Sequence, residues 1–166
     1  MTPTTQRHLQ SAKAYLEREG RGDLTVVDEL MSEDIVMTIV SGRSPHTVHA
    51  IPWGGVHRGR EAAKNFLRRL LAGQISSVDK IDRWVADEDT VVAFAMQQAS
   101  SPITGRSGEW ELAIRFDFEG DLISHYWVYE DSFSAVVMHS VGGELLMRDS
   151  EGTRSAPVDA HITSTP

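Results

Sequence analysis

The stretch WELAIRFDFEGDLISHYWVYEDS, residues 110–132, decides the fold. In its first half Trp110, Leu112, Ile114 and Phe116 alternate with Glu111, Ala113, Arg115 and Asp117. Successive side chains of a strand point to opposite faces, so this period of two gives one apolar row and one polar row. Glu119-Gly120-Asp121 supplies a tight turn, and a second run rich in aromatic and β-branched residues follows. Two strands joined by so short a turn must run antiparallel. The apolar row has to be covered, so helices must lie over it and enclose it.

Working upstream, the same period predicts strands at 76–86 and 90–99, with the pair already described at 109–118 and 122–131. Asp87-Glu88-Asp89 and the loop Ser100–Gly105 are their turns. Before them the periodicity is helical. Leu9, Ala12 and Leu16 share a stripe over 6–19, ending at Gly20 or Gly22, and Asp23 can cap a short helix bearing Val27, Leu30 and Met31. Residues 34–41 read as a strand and 42–59 as a long loop rich in Gly, Pro and His. Ala63, Phe66, Leu67, Leu70 and Leu71 place a helix at 60–72, closing at Gly73. Asp131 or Ser132 can cap a last short helix through Phe133, Val136 and Val137. The expected fold class is α+β, with a curved antiparallel sheet covered on its concave face by the N-terminal helices. Residues 1–148 form one domain, and 149–166, without apolar periodicity, are expected to be a mobile tail.

A chain of 166 residues suits one domain with a single core, and 40% apolar with 24% charged residues is ordinary for a soluble protein. A net charge of −8 argues against a nucleic-acid partner. The basic cluster Arg58, Arg60, Lys64, Arg68 and Arg69 falls at helical spacing with Glu61 among it, which reads as a solvated helix face. No apolar run is long enough to span a bilayer, and the start MTPTTQRHLQ lacks a signal-peptide core, so the expected place is the cytoplasm. With no cysteine, disulfides, thiolate zinc sites and thiol nucleophiles are excluded.

Three motifs then carry a resemblance: PWGGVHRGREAAKNF at 52–66, TGR at 104–106 and FDFEGDLISHYWVYEDS at 116–132. With the order of elements, over roughly 5–140, they resemble the SnoaL-like branch of the nuclear-transport-factor-2-like superfamily, which holds polyketide cyclases, ketosteroid isomerase and limonene-epoxide hydrolase. The resemblance implies a cone-shaped half barrel with a pocket inside, no cofactor, and often a homodimer through the outer sheet face. Laid against these relatives, the Ser124, Tyr126, Val128, Glu130 set of the last strand faces inward, and His125, Trp127 and Tyr129 face out. The cyclase histidine and aspartate fall at Ile114 and Val128. The epoxide hydrolase's arginine and aspartate fall near Ala95 and Gln97, and its tyrosine and asparagine near Met37 and Ile39. None of those catalytic residues carries over.

The remaining candidates are Glu130 as base, Tyr126 as hydrogen-bond donor and His57 as proton shuttle. A carboxyl in an apolar cone has its pKa raised, which suits proton transfer near neutrality, although an exposed strand-end glutamate fits Glu130 as well. Trp53, Met37, Ile39, Gln97, Trp110, Leu112, Ile114 and Val128 are expected to line the ligand site, with Trp53 and His57 on a lid over the cone or on a plain surface connector. Asp131 reads as the helix cap rather than as a catalytic group. His46, His49 and His57 lack a carboxylate at ligand spacing, so no metal site is expected. The function expected is cofactor-free acid–base chemistry (cyclisation, isomerisation or dehydration) on a hydrophobic polyketide-, terpenoid- or steroid-like small molecule. Epoxide opening and a non-catalytic binding or dimerisation module are the alternatives.

Overall fold

The computed structural model describes residues 1–40, 54–73 and 80–140, and the backbone of 75–79, 144–145 and 158–159. Helix α1 spans Pro3–Gly20. It starts earlier than the apolar stripe alone indicates, because Thr2 accepts the Thr5 N–H at 3.1 Å and Pro3 takes the first helical turn. Gly22, at φ +75°, ends it. Helix α2 (Thr25–Leu30) is set by Asp23, whose carboxylate accepts from the Thr25 N–H at 3.0 Å and is held by Arg18 at 2.7 Å. Strand β1 (Met31–Ile39) follows directly.

Residues 42–59 are not loop throughout: Gly55–Arg58 form strand β2, antiparallel to β1 with Met37 opposite His57. Four residues with two glycines at their border carry too little pattern to announce a strand; pairing with β1 creates it. Gly59, at φ +80°, donates its N–H to the Ile35 carbonyl at 2.8 Å and turns the chain into helix α3 (Arg60–Gly73). The basic cluster is largely spent within the chain. Arg60 donates twice to the Met31 carbonyl, at 3.0 and 2.6 Å, and Lys64 pairs with Asp28 at 2.7 Å.

The meander is as its periodicity predicts: β3 (Ile75–Ala86), β4 (Thr90–Ser100), β5 (Ser107–Glu119) and β6 (Leu122–Glu130), each antiparallel to the next. The sheet order is β2-β1-β6-β5-β4-β3, unclosed, and β1 lies parallel to β6, a pairing between distant segments that local pattern does not reveal. Register shifts in β3–β4, β5–β6 and β1–β6 mark bulges, which bend strands and increase their twist. Helix α4 (Ser132–His139) is capped by Asp131, whose carboxylate accepts from the Phe133 and Ser134 N–H groups at 3.1 and 3.4 Å. The TGR motif closes that end. Thr104 donates to the Met138 carbonyl at 2.7 Å, and Arg106 to those of Val137 and Ser140 at 2.9 and 2.8 Å. Glu144–Leu145 (β7) and Val158–Asp159 (β8) pair antiparallel; the rest of the expected tail, 149–157 and 160–166, lies outside the described residues.

Trp110, Leu112, Ile114 and Phe116 are all buried, so the apolar row of β5 does face the helices. Tyr15 of α1 is fully buried beneath them, its ring against Phe116 and Tyr126 at 5.9 and 5.4 Å. His8 fastens the start of α1. Its Nδ1 and Nε2 lie 2.6 and 2.8 Å from the carbonyls of Glu88 and Gly120, in the two turns at one end of the sheet.

Candidate active site in the cone

Between α1, α3 and the concave sheet face lies a cavity of about 530 Å³, a size that suits a small organic ligand. Its wall is mostly apolar: Leu16 from α1, Phe66, Leu67, Leu70 and Leu71 from α3, and Ile39, Ile81, Trp84, Trp110, Leu112, Ile114 and Val128 from the sheet. Of the expected lining residues, Ile39, Gln97, Trp110, Leu112, Ile114 and Val128 are on this wall. Met37 is not: it is fully buried in the core, one inward position along β1 from Ile39. Trp53, His46 and His49 lie outside the described residues.

Tyr126 and Glu130 both reach the cavity, two residues to either side of Val128 on β6. His57 does not join them. It sits on β2 with its ring against Phe66 at 5.1 Å, and Phe66, not His57, forms the wall. Ile114 stands directly opposite Val128 across the β5–β6 ladder, both on the cavity wall. The two strand positions to which the resemblance assigns the cyclases' acid–base pair are therefore adjacent here, and both are apolar.

The polar groups stand around them instead. Glu130 Oε2 accepts from the Trp110 indole N–H at 3.2 Å, while Oε1 is buried with no partner among the described residues. Burial raises the Glu130 carboxyl, the Trp110 hydrogen bond opposes this and the Asp131 charge adds to it. Glu19, unforeseen from the sequence, completes the group from α1. Burial pushes its carboxyl up to about 8, against a lowering hydrogen bond from Tyr126. The Tyr126 phenol is in turn raised well above its usual value, by burial first and then by the charges of Glu19 and Glu130. A signal for Glu19 was present: the spacing Leu9, Ala12, Leu16 continues to it by one further step of three along the same stripe. Gln97, on β4 beside Trp110, contributes the remaining buried polar side chain of the wall. Among the described residues no group of three His, Cys, Asp or Glu is placed to hold a metal ion.

The sequence profile of the SnoaL-like domain matches residues 12–126, well over half of the chain. The chain belongs to the SnoaL-like family. Solved structures share the fold of this SnoaL-like domain at low identity. An NTF2-like protein of Burkholderia xenovorans LB400 is 21% identical, covering 82% of this chain and 98% of its own, at a TM-score of 0.70. A candidate polyketide cyclase of Xanthomonas campestris pv. campestris is 19% identical, with 82% and 99% covered, also at 0.70. An LEH-like epoxide hydrolase of M. tuberculosis is 21% identical, with 81% and 85% covered, at 0.63. No curated protein matches in sequence. Among the described residues no helix is long and apolar enough to cross a membrane.

Proposed function

We propose that this SnoaL-like protein is an enzyme that moves a proton on a hydrophobic, polyketide-, terpenoid- or steroid-like small molecule without a cofactor. The observation that carries this reading is the concentration of Glu19, Tyr126 and Glu130 on one side of an otherwise apolar cavity. Cyclisation, isomerisation and dehydration each need a proton removed or delivered beside a carbonyl or hydroxyl. An acid–base group does this best when its pKa is near the working pH, and burial brings Glu19 there. Tyr126, beside Glu19 on the cavity wall, is the donor for oxygen charge developing on the substrate. Glu130 offers the second carboxyl, its buried Oε1 unpartnered. Trp110 fixes that carboxyl in place through Oε2. The acid–base centre is thus carried by α1 and by the two positions flanking Val128, in place of the positions held by Ile114 and Val128. His57 has no part in this centre. The reading keeps the cytoplasm as place of action and a homodimer through the outer sheet face as working form.

The test follows deuterium uptake from D2O at the α-carbon of apolar cyclic ketones by NMR. Exchange above the buffer blank, lost in Glu19→Gln, Tyr126→Phe and Glu130→Gln, is the expected result. Ketones that bind but never exchange would support the non-catalytic binding module. Diol formation with oxygen from labelled water, given an apolar epoxide, would support epoxide opening.

A further inference from the structure

The carboxyls of Glu19 and Glu130 share the cavity wall, and among the described residues neither forms a salt bridge. Two other charged groups stand at the wall. Glu17 pairs with Arg21 at 2.7 Å, and the Lys13 ammonium lies 5.7 Å from the centre of the Trp84 ring. Gln97, 8% exposed, lines the same space, and no hydrogen bond occupies its amide among the described residues. Glu130 Oε1 is a buried acceptor awaiting an N–H donor, and the Gln97 carbonyl oxygen is a second acceptor on the same wall. The aromatic wall of Phe66, Trp84, Trp110 and Tyr126 offers ring faces, which attract cations. Lys13 over Trp84 already uses one of them in this way.

We infer that the cavity takes a ligand carrying a basic nitrogen, an amine or amidine, on an apolar frame. Its N–H groups meet Glu130 Oε1 and the Gln97 carbonyl oxygen, with the Glu19 carboxylate as counter-charge. The inference rests on reading the cavity as the ligand site and narrows its substrate class. A neutral ketone would satisfy neither acceptor, whereas a cation with N–H groups satisfies both and compensates the charge that a buried carboxyl takes on when it ionises.

Proton linkage gives the signature. Glu19 is faced by Tyr15 of its own helix and by Tyr126 of β6, with Lys13 and Glu17 of α1 also at the wall; Glu130 is faced by Trp110 of β5 and the nearby Asp131, with the uncharged Gln97 of β4 on the same wall. With its carboxyl at about 8, Glu19 is roughly nine-tenths protonated at pH 7, so an arriving cation displaces close to one proton. The probes are 2-naphthamidine, cationic throughout, and its neutral isostere 2-naphthamide, titrated calorimetrically in buffers of different ionisation enthalpy. The amidine should bind at least tenfold tighter than the amide at pH 7 and release close to one proton. Its affinity should gain roughly tenfold between pH 7 and pH 9 as that release vanishes. Glu19→Gln and Glu130→Gln, shown folded by their thermal melts, should each erode the preference for the amidine. Equal binding of the two probes would overturn the basic-nitrogen assignment and leave the enzyme reading standing. Discrimination that survives in the double variant would overturn the assigned residues. If neither probe binds at millimolar concentration, the ligand-site reading falls as well.

Discussion

Glu19 makes stability depend on pH in a direction that can be worked out. Its carboxyl rises from 4.5 in the unfolded chain to about 8 in the folded protein, because burial disfavours the charged form more than the Tyr126 hydrogen bond favours it. Between those values the folded state binds the proton more tightly than the unfolded state does. The contribution is therefore fully present below pH 4.5 and is lost as pH rises through about 8. At 1.36 kcal/mol for each tenfold change, the span sets a ceiling of about 5 kcal/mol. The side chain is half-buried, so water screening reduces this, and ~2–3 kcal/mol is the expected loss. Glu19→Gln keeps an acceptor for Tyr126 and cannot ionise. Urea unfolding of both proteins from pH 4 to pH 9 measures the difference. The wild type should lose ground to the variant steadily from about pH 4.5 and level off above pH 8. Parallel stability profiles would refute the reasoning, because they would mean that the carboxyl ionises as readily in the folded chain as in the unfolded one.

Further outcomes are expected. Asp131→Ala should cost about 1 kcal/mol of stability through loss of the α4 cap, with turnover preserved below the melt; turnover lost at unchanged stability would make Asp131 catalytic. Arg106→Ala removes the donor to two carbonyls at the end of α4 and should cost about 1.5–3 kcal/mol by urea unfolding, while Arg106→Lys should recover part of it. On the outer sheet face Phe94 and Tyr129 are 45% and 49% exposed and stand in one cross-strand row through Ala113. Phe94→Glu with Tyr129→Glu should convert a dimer to a monomer in light scattering at micromolar concentration; an unchanged mass would remove that face from the interface.

The period-two residues of β5 needed no partner to be legible, since alternation alone separates an apolar row from a polar one there. The Asp131 cap and the helix stop at Gly22 were readable in the same way, because backbone conformation and short-range hydrogen bonds belong to a few adjacent residues. The inward set on β6 was different. Tyr126 and Trp127 are both aromatic, so hydrophobicity could not choose between faces; the resemblance placed Tyr126 inward, and its burial against Tyr15 and Phe116 agrees.

The chain's local pattern determined the helices, the meander and an apolar concave face, because each depends on propensities and periodicities within a window of about a dozen residues. Only the tertiary structure decided where the polar groups meet. The apolar stripe of α1 extends to Glu19, but its elevated carboxyl exists only because folding buries it against the rest of the cavity wall. Strand β2 and the parallel β1–β6 pairing likewise depend on segments far apart in the chain. Desolvation and pairing are properties of the surroundings that folding assembles, and no single segment carries them.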